Sequence, residues 1–448
     1  MSHTRARSGV VITAILGILM LAGVRAFCDQ PPADAAARVE ALEKELADIK
    51  TQIANGADKA EALKRVEALE KAVAEVKTQV GGKPAAAKPA ASSWADKVKV
   101  SGYVQGRYEN YSDTGGATSG AANNISNKIY LRRLRPTITA QVNDRTGVTV
   151  QLDTVEQSLK TYDKDSNKYW SSADKSGQWK MQLVDGFLTH KLTPDGNFAL
   201  YLGQRSVPFG FDTPRSSSKI LALERIEILR RMIPDEADTG AWVQYSPADK
   251  RAMMAKMGNE LLTEGDFGML SVGVYDGQGR NQSAQTGTKH ISARFNYPFM
   301  IGSRYAEAGA SWFNGKFMND IANSKLVTND TLHGAHFVLP AQPFGVEAEY
   351  YKGETGGKDV DGWGLQAMYK DRNNDIFFVR HDVYNGMMKQ IVSTPVLNDF
   401  RRNSFGVARE INGGMRLTLE YDKADRRTAA GGPMNKENQI GIQLMQKF

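Results

Sequence analysis

Cysteine is nearly absent: Cys28 is the only one among 448 residues. No disulfide framework and no thiolate metal cluster can therefore form within one chain. Histidine is scarce too, at six. His333 and His336, three apart, would point to opposite faces of a strand, which argues against a metal pair. A nucleophile elbow is missing, and so is any pair of carboxylates at a defined spacing. The Gly-rich stretch Gly273 to Asn281 is not followed by a helical pattern, so it does not read as a phosphate-cradling loop. These absences point away from an enzyme and from any cofactor or metal. Charge of one sign is not in great excess either. The formal net charge of +7 is small for this length. It hints at anionic partners and gives no indication of nucleic acid.

Long apolar runs are missing after residue 26. Before it, Arg5 and Arg7 precede an apolar run from Val10 to Val24, and Val24-Arg25-Ala26 offers a cleavage site. Residues 1–26 therefore read as an export signal. Arg25-Ala26-Phe27 is too bulky before Cys28 for the small-residue pattern of lipidation. Beyond the signal no stretch is long and apolar enough for a spanning helix. A membrane location would then require a closed barrel, because only helices and closed barrels satisfy their backbone in lipid.

Residues 35–80 are repetitive. Arg38-Val-Glu-Ala-Leu-Glu-Lys44 recurs as Arg65-Val-Glu-Ala-Leu-Glu-Lys71, an offset of 65 − 38 = 27. Val39, Leu42, Leu46, Ile49 and Ile53, then Val66, Leu69, Val73, Val76 and Val80, alternate by three and four, which is a heptad seam. An oligomeric coiled coil is expected, since a short charged helix alone is marginal in water. Residues 81–95 are rich in Gly, Pro, Ala and Lys and read as a flexible linker.

After Trp94 the rhythm changes to two. Val98, Val100, Val104 and Tyr108 alternate with Lys99, Ser101, Gln105 and Arg107. Tyr130, Leu134, Ile138, Ala140 and Val142 alternate with Arg133, Arg135, Thr137 and Thr139, and similar runs recur to the end. Strands of roughly 9–12 residues suit a tilted membrane crossing. Aromatic pairs such as Tyr350/Tyr351, Phe377/Phe378 and Tyr297/Phe299 suit an interfacial girdle. The pattern gives about seventeen strands. Because single-chain bacterial barrels are even-numbered, sixteen antiparallel strands over 96–448 are expected, with eighteen as the alternative. A barrel of that width leaves an aqueous lumen. Ile440, Ile442, Leu444 and Phe448 share one face, and a terminal Phe on an alternating last strand resembles the end of outer-membrane barrels. An open soluble sheet remains the competing reading.

Several short pieces carry a resemblance. They are Gly203-Gln204-Arg205 with Pro208-Phe209-Gly210, then Leu223-Glu224-Arg225, then Asp238-Thr239-Gly240. Tyr130-Leu-Arg132-Arg133-Leu-Arg135 and Gly273 to Asn281 belong with them. In this order they resemble the phosphate-selective porin O and P family, over about Val98 to Phe448. The resemblance implies a sixteen-stranded trimeric outer-membrane channel for anions, some members carrying an amino-terminal coiled coil. The family's lysine cluster for phosphate has no clear counterpart here.

A channel's work lies in pore radius, lumen charge and the loop that narrows it. The parity expected to face the lumen carries Arg107, Arg133, Arg135, Arg205 and Arg294. Their guanidinium groups suit carboxylate or phosphate. Alternatively they balance Glu109, Asp153, Asp185 and Glu420. The stretch between Val207 and Thr239 is too long for a hairpin and has a helical patch around Leu221 to Met232. The resemblance makes it the inward-folded constriction loop. It contributes Arg215, Lys219, Arg225, Arg230 and Arg231 against Glu224, Glu227, Asp235, Glu236 and Asp238. The alternative is a surface helix with ion pairs such as Glu227 to Arg231.

The expected function is a passive channel for small hydrophilic solutes, phosphate or other anions preferred. A general or sugar-admitting porin is the alternative. The expected partners are outer-membrane lipid, two further copies of the chain and, through a periplasmic coiled coil, peptidoglycan.

Overall fold

The computed structural model describes residues 97–113, 125–156, 179–233, 236–282, 287–319, 326–386, 399–412, 414–427 and 434–448. The expected export signal, coiled coil and linker lie outside the described residues, as does Asp235.

Sixteen strands close into one antiparallel barrel. They are β1 (Val98–Asp113), β2 (Ile125–Gln141), β3 (Thr146–Glu156), β4 (Trp179–Lys191), β5 (Phe198–Ser206), β6 (Ala237–Tyr245), β7 (Leu270–Tyr275) and β8 (His290–Ile301). Then follow β9 (Arg304–Asn319), β10 (Leu326–Leu339), β11 (Phe344–Thr355), β12 (Lys358–Lys370), β13 (Asp375–Asn385), β14 (Asp399–Asn412), β15 (Met415–Arg427) and β16 (Asn435–Lys447). Each strand pairs with its chain neighbours, and β16 returns to β1 with Arg107 opposite Gln443. Phe448 completes the seam: its N–H donates to the Gly102 carbonyl at 3.0 Å, and the Gly102 N–H donates to its carbonyl at 2.9 Å. Closure leaves no edge strand, which lipid would penalise.

Alternation explains the two faces. Inward-facing Tyr103, Gln105 and Arg107 are buried, while outward-facing Val100 is 64% exposed. Two-residue periodicity fails where a strand bulges. The β1–β2 register shifts between Gln105 and Gly106, so that Arg133 faces Gln105 and Leu131 faces Gly106. Arg132 is the extra residue, and it reverses the parity above it. Tyr130, placed with the outward Leu134 by simple alternation, therefore turns inward and donates to Glu109 at 2.7 Å.

The connections differ at the two ends. At the end that holds both barrel termini they are short (142–145, 192–197, 302–303, 340–343 and 371–374), with one exception at 246–269. That exception contains helix α2 (Ala248–Glu260). At the other end, 207–236 contains helix α1 (Glu227–Met232). This connection runs back into the barrel. Val207, Phe209, Ile228, Leu229 and Met232 are fully buried against Phe313, Leu332, Tyr351, Val360, Tyr384 and Phe400 of the wall.

The helix is shorter than the patch Leu221–Met232 suggests. The wall takes the carbonyls that a longer helix would need. Arg107 donates to Leu223, Arg380 to Glu224, Arg402 to Arg225, and Arg416 to Ser218 and Ile220. Side-chain donors replace the i→i+4 ladder there.

Candidate functional site

The site is the lumen where the in-folded connection meets the wall. All five wall arginines singled out by parity lie on the inner face. All are covered: Arg107, Arg133, Arg135, Arg205 and Arg294 are each 7% exposed or less. They hold the connection 207–236 or its surroundings instead of standing in open water.

Arg107 donates to Glu224 Oε1 at 2.9 Å and to Gln443. Arg135 pairs with Asp153 at 2.8 Å. Arg133 donates to Gln105 at 3.0 Å and has no carboxylate within ion-pair distance among the described residues. Arg205 lies over the rings of Tyr201 at 4.0 Å and Phe267 at 4.6 Å, which are favourable cation–π contacts. Arg294 joins three elements: it donates to the Gly210 carbonyl at 2.9 Å and bonds Glu264 of the 246–269 connection.

The in-folded connection supplies the other half. Arg215 makes a two-pronged contact with Glu347, both distances 3.0 Å, and donates to the Leu262 carbonyl at 2.8 Å. Arg225 is turned onto its own loop, donating to Asp212 O and Ser217 and pairing with Glu236 at 3.4 Å. Glu227 is 1% exposed and gathers Arg231 at 2.6 Å and Arg426 at 3.2 Å. The expected i,i+4 pair Glu227–Arg231 thus exists, but inside the barrel. Arg230 remains 36% exposed and stands 3.9 Å from Glu224.

Glu224 is the focus. Arg107 and Arg132 both reach its Oε1 at 2.9 Å, and Arg230 approaches the other oxygen. Burial would push this carboxyl up, but Arg132, Arg107, Arg133 and Arg230 together hold it well below its ordinary value. Four guanidinium groups thus surround one carboxylate. Arg132 and Arg230 are the partly exposed members; Arg230 also stands 3.6 Å from Glu227, and Arg107 4.0 Å from Glu109. Burial likewise opposes ionisation of Glu236, yet Arg225, Arg280 and Arg135 bring it down to about 2. Lys219 is pushed down to about 8 by burial, with Lys447 and Arg215 adding and Glu264 opposing.

Parity missed several participants. Arg132 was hidden because a bulge cannot be read from alternation. Arg380, Arg402 and Arg416, buried on β13, β14 and β15, were not singled out, and nothing in their spacing marks them as donors to the loop. The role of 246–269 had no sequence signal beyond its length. Among the described residues, no cluster of His, Cys, Asp and Glu could hold a metal. His333 is exposed and His336 buried, on opposite faces of β10.

A family model described as phosphate-selective porin O and P matches residues 98–373. No curated protein matches the chain. Solved structures similar to it include an anion-selective porin from Comamonas acidovorans, at 12% identity over 78% of this chain and 99% of that one, TM-score 0.47. OmpT of Vibrio cholerae in its trimer form is similar at 14% identity over 79% and 100%, TM-score 0.44. OprB of Pseudomonas putida is similar at 9% identity over 79% and 95%, TM-score 0.47.

Proposed function

The chain belongs to the phosphate-selective porin O and P family, and from this premise we propose that, as a passive outer-membrane channel, it conducts small anions in preference to cations. The observation that carries the preference is the group Arg107, Arg132, Arg133 and Arg230 around Glu224, where Glu109 and Glu227 are the other carboxylates in reach and guanidinium groups still outnumber them. A solute passing the in-folded connection meets that surplus. Guanidinium groups stay charged at any working pH and match carboxylate or phosphate oxygens in pairs. A passive channel needs such groups to attract without trapping, so sites that are partly compensated suit it better than bare ones.

The channel is proposed to work as a homotrimer. Outward aromatics are concentrated on β8 to β15, where Phe295, Tyr297, Trp312, Tyr350, Tyr369, Phe377, Phe405 and Tyr421 are all exposed. The outward face of β1 to β4 is instead mainly aliphatic, with Val100, Ile129, Ile138 and Met181 exposed and Tyr108 half-buried on β1. An aromatic girdle belongs where protein meets the lipid interface. Its thinning on one side suits contact with another copy.

The test is planar-bilayer recording of the purified protein in a potassium chloride gradient, with phosphate added as competitor. An anion-directed reversal potential supports the proposal, and block by phosphate supports phosphate as a solute. A cation-directed or zero potential overturns the preference, and permeation of neutral sugars at equal rate would favour the general porin.

A further inference from the structure

The lipid-facing side of the last three strands is ordered in tiers. Cross-strand neighbours on β14, β15 and β16 are Val407, Leu419 and Ile442, then Phe405, Tyr421 and Ile440. The next tiers, toward the long-connection end, are Asn403, Lys423 and Asn438, then Arg401, Asp425 and Lys436. The two lower tiers are greasy: Phe405 is 52% exposed, Tyr421 41%, Ile440 52% and Leu419 42%. The two upper tiers are polar, and Arg401, Asn403, Lys423 and Lys436 are exposed. Arg401 and Lys423 have no ion-pair partner among the described residues. The Tyr421 hydroxyl donates to Asn438 at 3.1 Å, joining the aromatic tier to the amide tier.

This change from apolar to cationic occurs within two residues, so it marks the level where acyl chains give way to head groups. Strand geometry places Arg401, Lys423 and Lys436 within roughly 10 Å of one another at their backbones. Three cations there face one carboxylate, Asp425. The outward tier next to Tyr350 and Trp363 on β11 and β12 is different: Lys352 stands opposite Asp361, a cation facing a carboxylate. The long-connection end of such barrels faces outward, so the patch lies at the outer leaflet.

We infer that β14 to β16 carry a binding surface for a phosphorylated glycolipid of the outer leaflet. Its phosphates are held by Arg401, Lys423 and Lys436, its sugar hydroxyls by Asn403 and Asn438, and its acyl chains lie on Phe405, Tyr421, Leu419 and Ile442. The chemistry is that of cationic side chains beside an anionic membrane surface, each adding to lipid affinity. The inference rests on the outer-membrane placement and is independent of anion preference.

The experiment uses the full-length protein, stripped of lipid in detergent and then offered lipid A or phosphatidylglycerol in mixed micelles. Retained lipid is counted by native mass spectrometry. Wild type is expected to retain lipid A, and Arg401→Gln with Lys423→Gln to retain it about tenfold or more weakly. Lys352→Gln should match wild type. Conductance is recorded on the same preparations and should be equal for all. Equal lipid A retention by wild type and the double variant overturns the inference, as does equal retention of phosphatidylglycerol by wild type. Should the double variant fail to assemble, Lys423→Gln alone is scored by the same two criteria. Loss of conductance in every preparation would instead point to failure of the channel reading.

Discussion

Arg107 on β1 and Glu224 on the in-folded connection meet at 2.9 Å, with Arg107 2% exposed. This contact ties the connection to the first strand, and Glu224 is the carboxylate that Arg107, Arg132 and Arg230 share. Glu224→Gln should therefore do two things. Docking should weaken by roughly 3 kcal/mol, the cost of leaving a buried charge without its partner. The freed arginines should also raise anion preference. A lower unfolding temperature in detergent together with a larger anion-directed reversal potential is expected. A fall in anion preference would contradict the role given to Glu224.

Arg230 and Arg231 test the same field from the other side. Arg230 is the more exposed of the two. Replacing both by Gln should leave the fold intact, because Glu227 keeps Arg426. The reversal potential should move toward the cation value, most at low salt, where screening is weak. An unchanged potential would remove these two residues from the selectivity argument.

Acid should release the connection late. Glu236 titrates near 2 in the folded protein against an ordinary 4.5, and Glu224 and Glu227 also lie below that value. Their folded pKa values are depressed, so their stabilising contribution is complete above about 4.5 and fades as pH falls toward 2. Conductance should be steady down to pH 5 and become noisy or larger between pH 4 and 2, as 207–236 detaches. Recording across that range checks the window.

Lys219 predicts a change at the alkaline end. It keeps its charge below about 8 and loses it above, because burial disfavours the ammonium form. Anion preference should therefore drop between pH 7 and 9. Lys219→Arg should abolish the drop, since guanidinium does not titrate there. A drop that persists in the variant assigns it to another group.

Much of this was legible beforehand and some was not. The outward Ile440, Ile442, Leu444 and Phe448 follow from a period of two, which gives about seventeen strands; the even number of single-chain barrels reduces these to the sixteen found. The inward facing of Arg107, Arg135 and Arg294 follows too. What alternation cannot supply is depth. It places Arg294 on the inner face, yet only the folded chain shows it clamped between Gly210 and Glu264. The bulge at Arg132 also lies beyond pattern reading, because one extra residue changes nothing in composition while it turns Tyr130 inward. The helix spans Glu227–Met232 and not the whole of Leu221–Met232, because local propensity is blind to wall arginines that take its carbonyls.

The aliphatic face of β1 to β4 makes the last prediction. If this face joins copies of the chain, an outward charge there should be tolerated neither by a partner nor by lipid. Ile138 is 44% exposed and pairs with Val100 and Val150 on the same face. Ile138→Arg should dissociate the trimer on a native gel and weaken insertion, while the single barrels that do insert keep their conductance, since the inner face is untouched. Phe405→Arg, four strands away on β14, should spare the trimer and weaken membrane insertion by roughly 2–4 kcal/mol. Deleting residues 35–80 separates the remaining contribution. If the sheet face suffices, the trimer survives the deletion. If the trimer falls apart with conductance kept, the amino-terminal segment is what holds the copies together.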